Sequence, residues 1–142
     1  MLRAPRGVRA TCARVLRSGL ATDAFELTRV VLRREGGTWV LRTEPVWPGY
    51  VLAEPACGFG ADDLDSVGAL TPAESALARR LGGASHVIQA SQGRIEAGRL
   101  VVDFGPLVGL EPLVTKVDRH CRLAWLGPGR GIAVGLEVTS KS

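Results

Sequence analysis

The sequence is poor in aromatic residues and contains no long hydrophobic run. Aromatic residues make up only 5% of the 142 positions, so any hydrophobic core must be mainly aliphatic. No apolar run approaches the roughly 18 residues that a membrane-spanning helix needs. The cysteines, Cys12, Cys57 and Cys121, are far apart and form no CxxC pair, which argues against a disulfide framework or a zinc site. We therefore expect a protein of a reducing compartment, the cytoplasm, without a membrane partner.

Lysine is also scarce, and the charges are unevenly distributed. Of the 18 basic residues all but Lys116 and Lys141 are arginine, an excess that GC-rich codons produce without any functional cause. Residues 1–50 carry nine basic and four acidic groups (net +5), residues 51–70 carry four acidic groups (net −4), and residues 71–142 carry nine basic and six acidic groups (net +3). Two basic modules on either side of an acidic segment could each face a polyanion.

The first half of the sequence predicts a helix followed by strands. Apolar positions within residues 8–18 recur at helical spacing, with arginines off the apolar stripe formed by Val8, Cys12, Val15 and Leu16. The first 22 residues contain five arginines and no acid, which is also typical of an organellar transit peptide. Residues 25–33 and 38–43 flank two glycines and predict a β-hairpin. Residues 55–70 are rich in glycine, aspartate and alanine, and predict a loop.

The second half predicts one helix and then only strands. Thr71-Pro72-Ala73-Glu74 has the pattern of a capping box, which predicts a helix from there to Gly82-Gly83. Four or five short strands follow, and residues 132–139 alternate strictly between apolar and small or polar residues. Short strands joined by glycine-rich turns predict a small closed barrel.

No constellation of residues predicts catalysis, a metal site or a cofactor. The segment Gly127-Pro128-Gly129-Arg130-Gly131 lacks the spacing of a phosphate-binding loop and lies between strands, so a hairpin turn is the better interpretation. His86 and His120 are 34 positions apart and have no partner at ligand spacing. We expect a protein that is not an enzyme. The alternative, a small enzyme that uses the glycine loop, predicts stabilisation by nucleotides.

Residues 98–126 resemble a KOW motif, the segment of an SH3-like barrel that is associated with nucleic acids and ribosomes. The resemblance depends on Gly105-Pro106-Leu107, Gly109-Leu110-Glu111 and Lys116-Val117-Asp118-Arg119-His120, and is nearest to LoaP-type antiterminators of the NusG family. That family usually has glycine where this chain has Pro112. The resemblance implies turns at Gly98, Gly105 and Gly109. It implies RNA contact by a basic hairpin tip that presents Lys116, Arg119, His120 and Arg122, and Arg99 and Arg130 are further candidates for RNA contact.

A second resemblance lies in the first half of the chain. The stretch Pro45-Val46-Trp47-Pro48-Gly49-Tyr50-Val51 is similar to the P-[LF]-F-P-G-Y-[VI] stretch of the NusG N-terminal domain, which contacts the clamp helices of RNA polymerase. The resemblance implies a polymerase contact through Trp47, Pro48, Gly49, Tyr50 and Val51. The alternative is that both aromatic rings pack into the core of their own domain. No counterpart of the family's first strand precedes the first helix, so the module looks truncated.

These observations predict an α+β protein with two modules. We expect an incomplete NusG N-terminal-like α/β module over residues 1–70, a linker helix over 71–84 and a KOW SH3-like barrel over 85–142. The resemblance implies a transcription elongation or antitermination factor, with RNA polymerase, RNA (structured hairpins included) and a ribosomal protein as candidate partners. The alternative is a ribosome-associated KOW protein that binds rRNA.

Overall fold

The computed structural model describes residues 1–64, 66–127 and 131–142, which form a mostly β structure with two α-helices, an α+β composition. Within these residues, three short 3₁₀ helices lie at Ala61–Leu64, Gly83–Ser85 and Glu111–Leu113. The helices are α1 (Val8–Arg17) and α2 (Pro72–Gly82), and the strands are β1 (Leu2–Arg3), β2 (Ala21–Phe25), β3 (Thr28–Glu35), β4 (Thr38–Pro45), β5 (Tyr50–Pro55), β6 (Val87–Ile88), β7 (Ser91–Glu96), β8 (Arg99–Phe104), β9 (Val114–Asp118), β10 (Leu123–Leu126) and β11 (Ile132–Lys141).

In the described part of the chain, the strands form three sheets. Two have three strands, in the orders β1-β5-β2 and β4-β3-β6, and the third has five, in the order β8-β7-β11-β10-β9. The sequence predicted no strand before the first helix, but the two residues of β1 pair antiparallel with β5, with Leu2 opposite Val51. A two-residue strand is too short to show periodicity, so only its partner reveals it.

The five-stranded sheet is a curled half-barrel and not the closed barrel that the sequence predicted. Its edges are β8 and β9, and no ladder joins these two strands within the described residues. The 3₁₀ helix Glu111–Leu113 lies between them, and the backbone N–H of Val102 in β8 donates to Glu111 Oε1 (3.3 Å). Pro112 belongs to this helix and has no backbone donor for a ladder. Alternation along each strand identifies buried faces, but it does not reveal whether edge strands pair.

Both predicted helices are confirmed. Thr71 caps α2: its Oγ1 accepts from the N–H of Glu74 (3.2 Å), and its own N–H donates to Glu74 Oε1 (2.8 Å). Helix α1 buries Thr11 and Val15. Leu16, which the apolar stripe placed on the buried face, is 43% exposed because the contact face of α1 is centred on Thr11 and Val15.

The predicted hairpin is also confirmed, as β3 and β4. Glu35 pairs with Thr38 across a two-residue turn in which Gly36 and Gly37 have φ of 57° and 81°. A turn with positive φ at both central positions matches the twist of the flanking strands and strongly favours glycine.

The larger hydrophobic cluster spans both halves of the chain. It includes Leu27 and Leu52 from the first half, Leu77 and Leu81 from α2, and Leu136 from the half-barrel. A smaller cluster packs α1 against β1, β2 and β5. The core is therefore continuous across both boundaries of the predicted linker helix, and α2 contributes to it.

The β3–β4 hairpin lies against β11. The sequence predicted that one face of β11 is buried, yet Ala133 on the other face is only 2% exposed. Gly135 explains how the two strands approach: a Cβ there would lie 2.5 Å from the carbonyl oxygen of Val30 in β3 and 3.1 Å from Cβ of Ala90. Only a residue without a side chain leaves room for this backbone contact.

A cluster of partly buried charged side chains also joins the β3–β4 hairpin to β11. Arg29 in β3 donates from Nη1 to the carbonyl oxygen of Ala133 (2.9 Å) and from Nε to Glu44 Oε1 (3.1 Å), while Arg33 Nε donates to Glu44 Oε2 (3.3 Å). Hydrogen bonds from Arg33, and then Arg29, hold the pKa of Glu44 below its ordinary value. Arg29 thus connects the hairpin to β11 while Glu44 neutralises part of its charge.

Replacing Gly135 tests the contact between the hairpin and β11. We expect Gly135→Ala to destabilise the protein by about 1–3 kcal/mol, since the added methyl forces the strands apart. The matched control is Gly60→Ala, where the nearest atom to the new Cβ is 4.0 Å away. Urea unfolding of both variants measures the difference. An unchanged midpoint for Gly135→Ala would show that the hairpin does not lie on β11.

Glu44 predicts a defined dependence of stability on pH. Because its pKa is lowered on folding, its ionised form stabilises the protein above the ordinary pKa of about 4.3, and this contribution is lost as the pH falls through the folded pKa. Glu44→Gln should lose about 0.5–1 kcal/mol at pH 7. The difference from wild type should shrink below about pH 4.

Thermal unfolding from pH 7 to pH 3 measures this dependence. Glu35→Gln removes the carboxylate of an exposed pair with Arg42 and should have a smaller effect. A Glu44→Gln deficit that is constant across the whole range would contradict the assignment.

Candidate nucleic-acid interface

The predicted basic tip lies between β9 and β10, at residues 119–122. Asp118 Oδ1 accepts a hydrogen bond from the backbone N–H of Cys121 (2.9 Å), and this bond lowers the pKa of Asp118. Arg122 has a φ of 56°, the left-handed conformation that reverses the chain into β10. The turn leaves Arg119 and His120 exposed.

Arg122 itself is directed back to the fold. Its guanidinium carbon lies 3.8 Å from the centroid of the Trp39 ring in β4, and its Nη1 lies 3.6 Å from Glu137 Oε1 in β11. Its side chain is 26% exposed. Sequence reasoning grouped Arg122 with Lys116, Arg119 and His120 at a free edge, whereas the structure separates them: Arg122 joins the tip to the hairpin, and the other three face solvent.

Trp125 is an exposed aromatic side chain beside this tip that the sequence analysis did not select. It is 41% exposed and lies directly opposite Lys116 in the β9–β10 ladder, while Ala124 and Leu126 on the other face are 0% and 1% exposed. A tryptophan that alternates with buried residues in a strand next to a basic hairpin was the available signal. We define the β9–β10 surface as Lys116, Arg119, His120 and Trp125.

Another predicted RNA contact, Arg99, does not join this surface. The tip ends at Leu123, which pairs with Gly135 of β11. Arg99 pairs with Glu96, and the neighbouring Ile95 pairs with Lys141 at the far end of β11. Six residues of β11 separate Gly135 from Lys141, about 20 Å at the rise of a strand. Arg99 is exposed at that far end. Arg130 lies outside the described residues.

The three glycines selected from the KOW resemblance all have positive φ. The values are 77° for Gly98, 110° for Gly105 and 81° for Gly109. Gly105 is constrained by space as well, because a Cβ there would lie 2.6 Å from Cα of Ser91. These residues shape the half-barrel, and Gly98 forms the β7–β8 turn with Ala97.

The predicted polymerase-binding residues occupy different environments. Val51 is fully buried opposite Leu2 and faces the core. Trp47 is half-buried and packs against the larger cluster, while Pro48 and Gly49 are exposed in the turn before β5. A groove of about 540 Å³ lies beside this turn, lined by Met1, Arg3, Trp47, Pro48, Tyr50 and Val67. The rings of Trp47 and Tyr50 therefore both border a surface groove, and Trp47 also packs against the core.

The described residues show no cluster of three or more His, Cys, Asp or Glu side chains placed to hold a metal ion. Within the same residues, neither helix has the length and hydropathy to cross a membrane.

Comparison with family models and with curated proteins found no match to this chain. The resemblance to NusG and KOW proteins therefore depends on the residues quoted above, and the function that it implies is a proposal.

The contact between Arg122 and Trp39 predicts an energetic coupling. A double-mutant cycle with Arg122→Gln and Trp39→Leu should give about 0.5–1 kcal/mol of favourable interaction, the range of a cation–π pair at a partly exposed site. The control cycle pairs Trp39→Leu with Arg119→Gln, whose side chain faces solvent, and should be additive within about 0.3–0.5 kcal/mol. Equal coupling in both cycles would show that Arg122 is not held by Trp39.

Proposed function

We propose that this protein is a non-catalytic RNA-binding factor of transcription, similar in organisation to NusG and LoaP proteins, and that the β9–β10 surface binds the RNA. The observation that carries the proposal is the exposed ring of Trp125 opposite Lys116. Arg119 and His120 extend the same hairpin and are exposed. The site of action would be the cytoplasm.

The chemistry of this surface fits a nucleotide chain. An exposed indole offers a face on which an unpaired base stacks, a contact of about 1–3 kcal/mol per base. Lys116 and Arg119 supply positive charge for the phosphates on either side, and neither forms an ion pair within the described residues. Arg122 would act indirectly, since its contact with Trp39 fixes the direction of the tip.

The groove beside Trp47 would be the RNA polymerase contact. Its aromatic and proline side chains suit a helix laid into a groove, the form of contact that the NusG resemblance implies. A factor held on polymerase would raise the effective concentration of its half-barrel near the emerging transcript.

The second candidate function is that of a ribosome-associated KOW protein that binds rRNA. The complete burial of Val51 and the packing of Trp47 against the core favour it, because both reduce the surface left for polymerase. This candidate needs the β9–β10 surface but not the groove.

RNA binding by the purified protein tests the proposal. We expect Trp125→Leu to weaken binding to a fluorescent RNA hairpin with an unpaired loop by about tenfold or more, through loss of stacking. Arg119→Gln should reduce the slope of log Kd against log salt concentration by about 0.7–0.9. Arg34→Gln, which removes an exposed arginine from the β3–β4 hairpin, is the matched control and should leave the affinity within twofold.

Equal affinity of Trp125→Leu and wild type would remove the β9–β10 surface as the RNA site. Sedimentation is a separate experiment that distinguishes the two candidates: comigration with ribosomal subunits favours the rRNA-binding protein, and comigration with polymerase that is lost in Trp47→Ala favours the transcription factor.

A further inference from the structure

Helix α1 carries a second cationic surface that lies outside the segments resembling KOW and NusG proteins. Residues 1–22 contain five arginines and no acidic residue, and all five arginines are exposed. Three of them, Arg9, Arg14 and Arg17, lie on α1. GC-rich codons account for arginine in place of lysine, but they do not account for the absence of acidic residues.

The helix places these three side chains on one face. At about 100° per residue, Arg9, Arg14 and Arg17 fall within a sector of about 140°. Thr11 and Val15, which are 5% and 2% exposed, are centred nearly opposite that sector. We call Arg9, Arg14 and Arg17 the α1 arginine face. It points away from the core because the other side of the helix packs on β2 and β5.

The charges of this face are not used inside the fold. None of its arginines forms an ion pair within the described residues, and its one hydrogen bond runs from Arg17 Nε to the carbonyl oxygen of Ala13 in the same helix (3.2 Å). Glu26 and Asp23 lie near a different edge of α1, at Cys12, where burial and then these two carboxylates raise the pKa of the thiol. Intramolecular pairing therefore does not explain the cluster.

Helix stability explains only part of it. Arg14 and Arg17 lie in the last turn, where the helix dipole favours a cation. Arg9 lies in the first turn, where a cation opposes the dipole, and Gly7 provides no side-chain cap. An arginine at that position costs helix stability, so an external partner is the better explanation.

We propose that the α1 arginine face binds the phosphate backbone of RNA without sequence preference. Arg9 and Arg17 are eight positions apart and therefore span about 12 Å of helix, enough to face successive phosphates of one strand. Guanidinium groups suit this role because they fork onto phosphate oxygens. The choice of RNA rests on the proposed function, whereas the surface and its charge do not.

An anionic membrane is the competing polyanion, and the structure disfavours it. A helix that lies in a membrane interface inserts a free apolar face between the lipids. The apolar face of α1 is already buried in the smaller cluster, where Val15 packs near Leu2 and Val51. Leu16 is 43% exposed, and one such side chain provides little insertion energy.

Salt-dependent binding tests the proposal. The test variant is Arg9→Gln/Arg14→Gln, and the matched control is Arg34→Gln/Arg80→Gln, which removes the same charge from two exposed sites, one of them in the last turn of α2. The probe is a single-stranded RNA 20-mer of mixed sequence, titrated at several salt concentrations. We expect the test variant to lose about 1.4 from the slope of log Kd against log salt and to bind about tenfold more weakly at 0.1 M salt. The control should change affinity by less than twofold.

Two further measurements complete the experiment: RNA binding by a variant that keeps the charge, and binding of the protein to lipid vesicles. Arg9→Lys/Arg14→Lys should keep the wild-type slope, since it keeps the charge. Equal losses in the test and control variants would overturn the proposal, because the effect would then reflect net charge alone. Binding to vesicles of neutral lipid and phosphatidylserine that exceeds binding to RNA, and that the test variant loses, would also overturn it.

The variant Trp125→Leu separates this proposal from the proposed function. If Arg9→Gln/Arg14→Gln weakens RNA binding and Trp125→Leu does not, the result supports the α1 arginine face as an RNA-binding surface and contradicts that role for the β9–β10 surface. If only Trp125→Leu weakens binding, the α1 arginine face is overturned.

Discussion

The close contact between the β3–β4 hairpin and β11 is the constraint on which the rest of the structure depends. At Gly135 the backbones of two strands more than 100 positions apart in sequence meet without a side chain between them. The guanidinium of Arg29 adds a hydrogen bond to the carbonyl oxygen of Ala133 at the same contact. Because residues 132–136 of β11 are thereby buried on both faces, the half-barrel is part of one core that also includes α2.

This contact also determines which groups remain on the surface. With the hairpin held on β11, Trp39 lies where it receives the guanidinium of Arg122, and Glu137 completes the pairing. Arg122 is thus used to fix the β9–β10 tip, while Arg119 and His120 remain exposed beside Trp125. A basic residue that stabilises a turn and its basic neighbours that face solvent have different roles, although they are adjacent in sequence.

Features set by local chemistry could be predicted from the sequence. The capping box of Thr71 and Glu74 and the turn at Gly36-Gly37 each depend on residues a few positions apart, and both are present. Features set by distant packing could not be predicted. The burial of Ala133 and the inward direction of Arg122 depend on a hairpin about 90 residues earlier, and periodicity contains no information about that partner. The sequence also did not reveal that β8 and β9 are sheet edges that form no ladder with each other within the described residues, because the pattern of a strand does not specify its neighbours.

The candidate site was predictable only in outline. The motif located the basic hairpin, and the structure then divided its residues by environment and added Trp125. The most direct test of the account is an NMR titration of the 15N-labelled protein with single-stranded RNA, observed at the indole N–H signals of its three tryptophans. We expect the signal of Trp125 to shift most, with smaller changes for Trp39, which is covered by Arg122, and for Trp47 in its groove. An unchanged Trp125 signal at saturating RNA would contradict the central claim.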